Sequence, residues 1–183
     1  MKLEKIKFCN NCGSPVNFFV PNGDNFNRYI CTNCNKIHYQ NPAIIAGCIA
    51  ELNNKILLCK RNIEPKRGYW TFPAGFLESN ETIEAAAIRE TAEEANATVS
   101  NLDMFAMVCC SNINEVYVIY RATLETEDAS PGPESMEVGL FDEESIPWSN
   151  LAYPLLHEML NWYFDDKKRG KFSLHATSTE GKI

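Results

Sequence analysis

No stretch of the 183-residue chain approaches the roughly 18 consecutive apolar residues that a membrane helix needs, and the longest such run is Ala43 to Ala50. A membrane-spanning helix is therefore not expected. The first residues, MKLEKIKFCNNC, alternate in charge and contain no apolar h-region, so no secretory signal is read and a cytoplasmic protein is expected. Basic excess is missing as well: the net charge is -7 and the pI about 5.0, which opposes broad binding to nucleic acid. Small anionic substrates stay within reach through local bases and metal. There is no internal repeat and no low-complexity segment. The 45% hydrophobic content does allow a full-sized core, organised as one domain or as one domain with a small module.

Cysteine, by contrast, is plentiful, with eight residues in a chain that shows no export signal, and these are expected as thiols or metal ligands rather than disulfides. Cys9-Asn-Asn-Cys12 and Cys31-Thr-Asn-Cys34 form two CxxC pairs. Each pair makes a tight turn presenting two thiolates, and four thiolates close a tetrahedral zinc site of the kind that stabilises a segment too small for its own core. Residues 1–40 therefore read as a zinc ribbon, against the alternatives of two disulfides or a redox-active pair. His38 is surplus to a four-cysteine site and reads as a surface or linker residue. Cys48, Cys59, Cys109 and Cys110 sit in apolar runs without ligand spacing and read as small core residues.

The stretch Gly75 to Ala97, GFLESNETIEAAAIRETAEEANA, carries the chemistry. Helix formers run almost unbroken from Thr82 to Glu94, with Asn80 or Thr82 able to cap the start. Ala85, Ile88, Ala92 and Ala95 recur at helical spacing as a thin buried stripe. Glu90, Glu93 and Glu94 sit three and four apart on another face. Like charges at that spacing repel unless a cation neutralises them, and a hard divalent ion such as magnesium is bound through carboxylates that leave room for water and phosphate oxygens.

The same stretch resembles the Nudix box: Gly, five residues, Glu, seven residues, Arg-Glu, an aliphatic, any residue, Glu-Glu, any residue, Gly, an aliphatic. Gly75, Glu81, Arg89, Glu90, Glu93, Glu94 and Ala97 fall in place. Two positions depart from the pattern: Thr91 stands at an aliphatic position, losing some burial but no chemistry. Asn96 stands at the second glycine, where asparagine is the next best residue for a left-handed helix cap. The resemblance implies hydrolysis of a nucleoside diphosphate linked to another group, with Mg2+ or Mn2+ held by Glu90, Glu93, Glu94 and the carbonyl of Ala74. Arg89 and Glu81 would hold those carboxylates in register. The general base would be a box glutamate, or Glu134 or Glu137 from downstream. It also implies an α/β/α sandwich over a mixed sheet, a class that the strand and helix order (α+β or α/β) already allows, and the homodimers common in the family.

The remaining chain supports this layout. Asn41-Pro42 opens the catalytic domain, read as 41–165, ahead of a polar and mobile tail over 166–183. Strands are predicted at Ala43 to Leu52 and Lys55 to Lys60, joined by Asn53-Asn54, then at Met104 to Cys110, Val116 to Leu124 and Met136 to Phe141. A last helix is predicted over Leu155 to Phe164, and Lys171 to His175 could add a short edge strand. Arg61, Lys66 and Arg67 surround a Pro and a Gly in a loop that could hold phosphates, with Arg61 or Arg67 as the clamp. A solvated basic loop has the same composition. Trp70 and Phe72 read as core more readily than as base-stacking groups.

A zinc ribbon followed by this box is similar to NADH pyrophosphatases and to a smaller group acting on FAD or ADP-ribose. The NADH enzymes carry Ser-Gln-Pro-Trp-Pro-Phe-Pro after the box, where this chain has Cys110-Ser-Asn-Ile-Asn-Glu-Val116. Ile113 also replaces the proline of many ADP-ribose enzymes. FAD or ADP-ribose hydrolysis is the leading expectation, with NADH or capped RNA ends, or a non-catalytic nucleotide-sensing module, as alternatives.

Overall fold

Alternation along one strand explains how the two faces of the sheet are covered. In β4 (Ala43–Leu52), Ala46, Cys48 and Ala50 point to one face of the sheet and Ile49 to the other, as the two-residue period of a strand dictates. Small residues on the first face let an alanine-lined helix approach closely. Large ones on the second face meet Leu, Met and aromatic side chains. The strand is buried on both faces from Ile45 to Ala50, which is why Ala43 to Ala50 is an unbroken apolar run.

The structure is a computed structural model and describes residues 5–179. The chain divides into two compact units, residues 1–42 and 43–183. In the first, β1 (Val16–Phe19), β2 (Arg28–Cys31) and β3 (Ile37–His38) form an antiparallel sheet. His38 is buried rather than at the surface, because it pairs with Tyr29 across β2–β3 and its ring turns inward.

The second unit holds β4, β5 (Lys55–Arg61), β6 (Trp70–Thr71), β7 (Ala74–Phe76), α1 (Ile83–Ala95), β8 (Val99–Cys110), β9 (Glu115–Leu124), β10 (Ser135–Phe141), α2 (Pro154–Arg169) and β11 (His175–Thr179). Among the described residues these strands make one mixed sheet in the order β10-β5-β4-β9-β8-β11, with β6 on β5 and β7 on β4. The β4–β9 and β8–β11 pairs are parallel and the others antiparallel. Asn53 and Asn54 turn β4 into β5 with φ of 52° and 66°, the left-handed pair that a two-residue hairpin of this hand requires.

One face of the sheet buries Leu57, Cys59, Val118 and Leu124 against Ala86, Ala87 and Ala95 of α1. The other buries Ile49, Leu58, Phe105 and Ile119 against Leu156, Met159, Leu160 and Tyr163 of α2. Met159 is fully buried, so Met159→Ala costs about 2–5 kcal/mol. Trp70 and Phe72 belong to this core. Cys48, Cys59 and Cys110 are buried, but Cys109 is exposed, since adjacent residues of β8 face opposite sides.

The second helix runs five residues beyond the predicted Phe164. Lys167, Lys168 and Arg169 complement the negative end of the dipole in its last turn, and Gly170 ends it at φ 66°. Asp166, read as part of a mobile tail, is instead buried, accepting hydrogen bonds from the Ser173 N–H and from Arg169 Nη2 and pairing with His175 Nε2. This clasp turns the chain back, so the edge strand is His175–Thr179, displaced from the predicted Lys171 to His175.

Candidate active site and metal centres

The helix α1 starts on Thr82, whose Oγ1 accepts from the Ala85 N–H at 3.1 Å, so of the two predicted caps Thr82 is the one used. It ends on Asn96, at φ 47° and ψ 38°, and Asn96 Nδ2 donates to the carbonyls of Ser130 and Pro131. Its buried face is not the predicted stripe. Ala85, Ile88 and Ala92 are exposed, whereas Ala86, Ala87, Thr91, Glu94 and Ala95 are buried, a rotation that puts Glu94 on the buried side of the helix. Thr91 is fully buried at no polar cost because its Oγ1 donates to the Ala87 carbonyl at 2.8 Å.

Arg89 organises the cluster. Its Nε and Nη2 donate to the two oxygens of Glu81 at 3.1 and 2.7 Å, Nη2 also to the Phe76 carbonyl, and Nη1 to Glu90 at 2.7 Å and Glu93 at 3.0 Å. Paired this way, the Glu81 carboxyl lies below its ordinary range, chiefly through Arg89. Gly75 makes room for this arrangement, since a Cβ there would lie 2.3 Å from the Glu90 carboxylate.

Glu94 differs from its neighbours. It is 7% exposed, and its Oε2 has no hydrogen-bond partner. Burial and then the Glu90 charge push its carboxyl up to about 8, against the pull of the Ala74 N–H and Arg61 and with a further push from Glu134. Burial likewise raises Glu90, on which Glu93 and Glu134 also act. Glu134 thus faces the box carboxylates, and the acidic loop that carries it is docked on the helix end. The Gly132 N–H donates to the Glu94 carbonyl, and Ser130 N–H to that of Ala95. A Cβ on Gly132 would sit 1.7 Å from the Glu93 carbonyl oxygen, so only glycine allows the approach. That docking was not read from the sequence, although Pro131-Gly132-Pro133 marked the place. Glu137 instead pairs with Lys60 at 3.2 Å. Arg61, at the end of β5, acts on Glu94, while Arg67 is exposed in the loop beyond it.

A buried carboxylate oxygen without a partner, beside Glu90 and the Ala74 backbone, is the donor set that a hard divalent cation accepts. The ribbon cysteines fit a different ion. Their Sγ atoms all lie within 4.8 Å of one another, with Cys9–Cys34 at 3.7 Å, Cys12–Cys31 at 3.4 Å and Cys12–Cys34 at 3.6 Å. A tetrahedron with Zn–S bonds of about 2.3 Å has edges of about 3.8 Å. The Ser14 N–H and hydroxyl pull the Cys12 thiol down to about 6, the direction that favours a metal-binding thiolate.

The NUDIX domain family model matches residues 41–163, and a second, described as Nudix N-terminal and specific to a zinc ribbon, matches residues 7–40. The chain belongs to the Nudix hydrolase family. A Nudix hydrolase crystal structure from Nitrosomonas europaea is 47% identical with a TM-score of 0.92, covering 95% of this chain and 99% of that one. An ADP-ribose pyrophosphatase of Methanocaldococcus jannaschii is 27% identical over 68% of this chain and 76% of its own length. A NAD-capped RNA hydrolase NudC of Vibrio atlanticus is 34% identical over 79% of this chain, which spans 52% of that relative. As a Nudix enzyme the chain is a hydrolase of a family that uses divalent metals. No helix among its described residues is long and apolar enough to cross a membrane.

Proposed function

We propose that this chain hydrolyses the diphosphate linkage of FAD or ADP-ribose, releasing AMP with FMN or ribose 5-phosphate. The observation that carries the reading is Glu94, buried with one oxygen unpartnered and flanked by Glu90, Glu134 and the positive charge of Arg61. Acids and a base meeting at one point suit a cation-bound diphosphate. Glu90, Glu94, the Ala74 carbonyl and, with substrate present, Glu93 would hold Mg2+ or Mn2+, which when bound neutralises diphosphate oxygens and acidifies or orients the attacking water. Arg61 binds a phosphate as a planar clamp. Arg89, fixed by Glu81, keeps Glu90 and Glu93 in register and so acts by positioning. Glu134 takes the proton of the attacking water as its oxygen bonds to phosphorus and the anhydride P–O bond breaks. Four thiolates leave no open position on the ribbon zinc, so its role is structural.

The relative named ADP-ribose pyrophosphatase, matched over 76% of its length, supports this substrate class. The NudC relatives favour a second reading, hydrolysis of NAD-capped RNA, although the chain spans only 52% of the one from Vibrio atlanticus and 57% of the one from Chromobacterium violaceum. Product chromatography after incubation with magnesium or manganese separates them. AMP from FAD or ADP-ribose is expected. No AMP from either, with efficient release of nicotinamide mononucleotide from NADH or capped RNA, would replace the first reading by the second.

A further inference from the structure

An open cavity of about 590 Å³ lies between the 61–69 loop and the start of α2, outside the carboxylate cluster. Its walls include Trp148, Tyr153 and His157, with Lys66, Glu158 and Asn161 at the edge. The segment carrying the aromatic groups is tied to the loop: Asn150 Nδ2 donates to the Gly68 carbonyl at 3.3 Å, and the Ala152 N–H to that of Trp70 at 2.9 Å. Trp148 and His157 rings stand 4.8 Å apart, and Asn161 Nδ2 lies within hydrogen-bond distance of His157 Nδ1, at 2.9 Å. Lys66 holds φ 68°, a conformation costly for lysine that the loop maintains at the cavity's edge.

Arg61 joins this cavity to the carboxylates. Its guanidinium lies 5.8 Å from the Tyr153 ring centre, on the cavity wall. Its backbone pairs with Ser135, the residue after Glu134. A phosphate on Arg61 would thus have the box carboxylates on one side and an aromatic-walled cavity on the other. The lining, three aromatic rings with Lys66, Glu158 and Asn161 beside them, suits a planar heterocycle, the group that uses aromatic faces together with polar edges. A bare ribose has no π-face to place there.

We infer that the cavity at Trp148, Tyr153 and His157 seats the heterocycle on the half of the substrate that departs from AMP, so that a dinucleotide with a large second ring, such as FAD, is preferred to ADP-ribose. This rests on the proposed diphosphate hydrolysis. The test is steady-state kinetics of Tyr153→Ala and His157→Ala on both compounds, with Tyr153→Phe as the conservative control. His157→Ala is expected to raise KM for FAD about tenfold, the loss of one stacking partner, with kcat retained and KM for ADP-ribose changed less than twofold, while Tyr153→Ala, which also removes the ring beside Arg61, raises KM for FAD more than that for ADP-ribose. Tyr153→Phe keeps the FAD values. An equal rise for both substrates, or no rise for FAD, overturns the inference. His157 is exposed, so its variant should fold even if Tyr153→Ala does not. Should the wild type cleave neither compound, the hydrolysis reading fails, and FMN titration without turnover then decides the cavity alone. Quenching of flavin fluorescence by the wild type, weakened in His157→Ala, supports it, and absence of quenching overturns it.

Discussion

Glu94→Gln separates a metal-holding carboxylate from an ordinary buried one. In protein that keeps its ribbon zinc but has no added magnesium or manganese, Glu94 is buried, lacks a partner on Oε2 and is pushed up to about 8 from the ordinary 4.5 by burial and Glu90. A folded-state value above the unfolded one means that this group's stabilisation is complete below about pH 4.5 and is lost as pH rises through about 8. Each pH unit of the gap corresponds to about 1.4 kcal/mol, giving an upper bound of about 5 kcal/mol, which side-chain relaxation and water entry reduce to about 2–3 kcal/mol. For a domain of this size that is a fall of roughly 5–10 °C in the wild-type midpoint, relative to the variant, between pH 5 and pH 9. Tryptophan fluorescence is the suitable probe, because Trp70, Trp148 and Trp162 all lie in the second unit and ribbon unfolding does not enter the signal.

The same samples then receive manganese at pH 8. A cation bound at a hundredfold excess over its Kd stabilises by about 2.7 kcal/mol, and the wild type should gain on that scale while Glu94→Gln gains distinctly less and loses turnover. Parallel pH profiles of the two proteins, or equal manganese shifts, would refute the assignment of Glu94 to the cation.

Elemental analysis should find one zinc per chain, and Cys9→Ser should lose it; an unchanged zinc content would remove the ribbon site. Arg89→Lys cannot reproduce the two-point grip on Glu81, so kcat should fall about 10–100-fold while the variant remains folded by circular dichroism. Arg61→Lys should fail to restore normal turnover, whereas Arg67→Ala should be close to wild type; the reverse order would move the phosphate clamp into the loop. Asp166→Ala should cost about 2–4 kcal/mol by tryptophan-monitored urea unfolding, since it strips partners from Ser173 and His175. Burial works to raise the Asp166 carboxyl, but His175, Ser173 and Arg169 hold it below 3.8, so its stabilisation is present above that pH and vanishes as pH falls further, where wild type and variant should converge.

Local spacing made the strands, the two knuckles and the box legible, because each depends on residues close in sequence. Ala43 to Leu52 was readable from an apolar run that a two-sided burial requires, and Asn96 from the one backbone conformation that follows a helix. What escaped were facts settled by distant partners. Spacing alone cannot orient a helix made mostly of alanine, since Ala85 and Ala86 are equally apolar and a rotation of one residue costs little in transfer energy. The sheet decides instead: Ala46, Cys48 and Leu57 receive Ala86 and Ala87, and Glu94, on the same side, is carried inward with them. The carboxylate read as one of three on a separate face is therefore the buried one. Its desolvation is tolerable because the Ala74 N–H, Arg61 and a divalent cation can compensate it, and the alanines that left the helix's orientation ambiguous are what allow the backbone to bring it there.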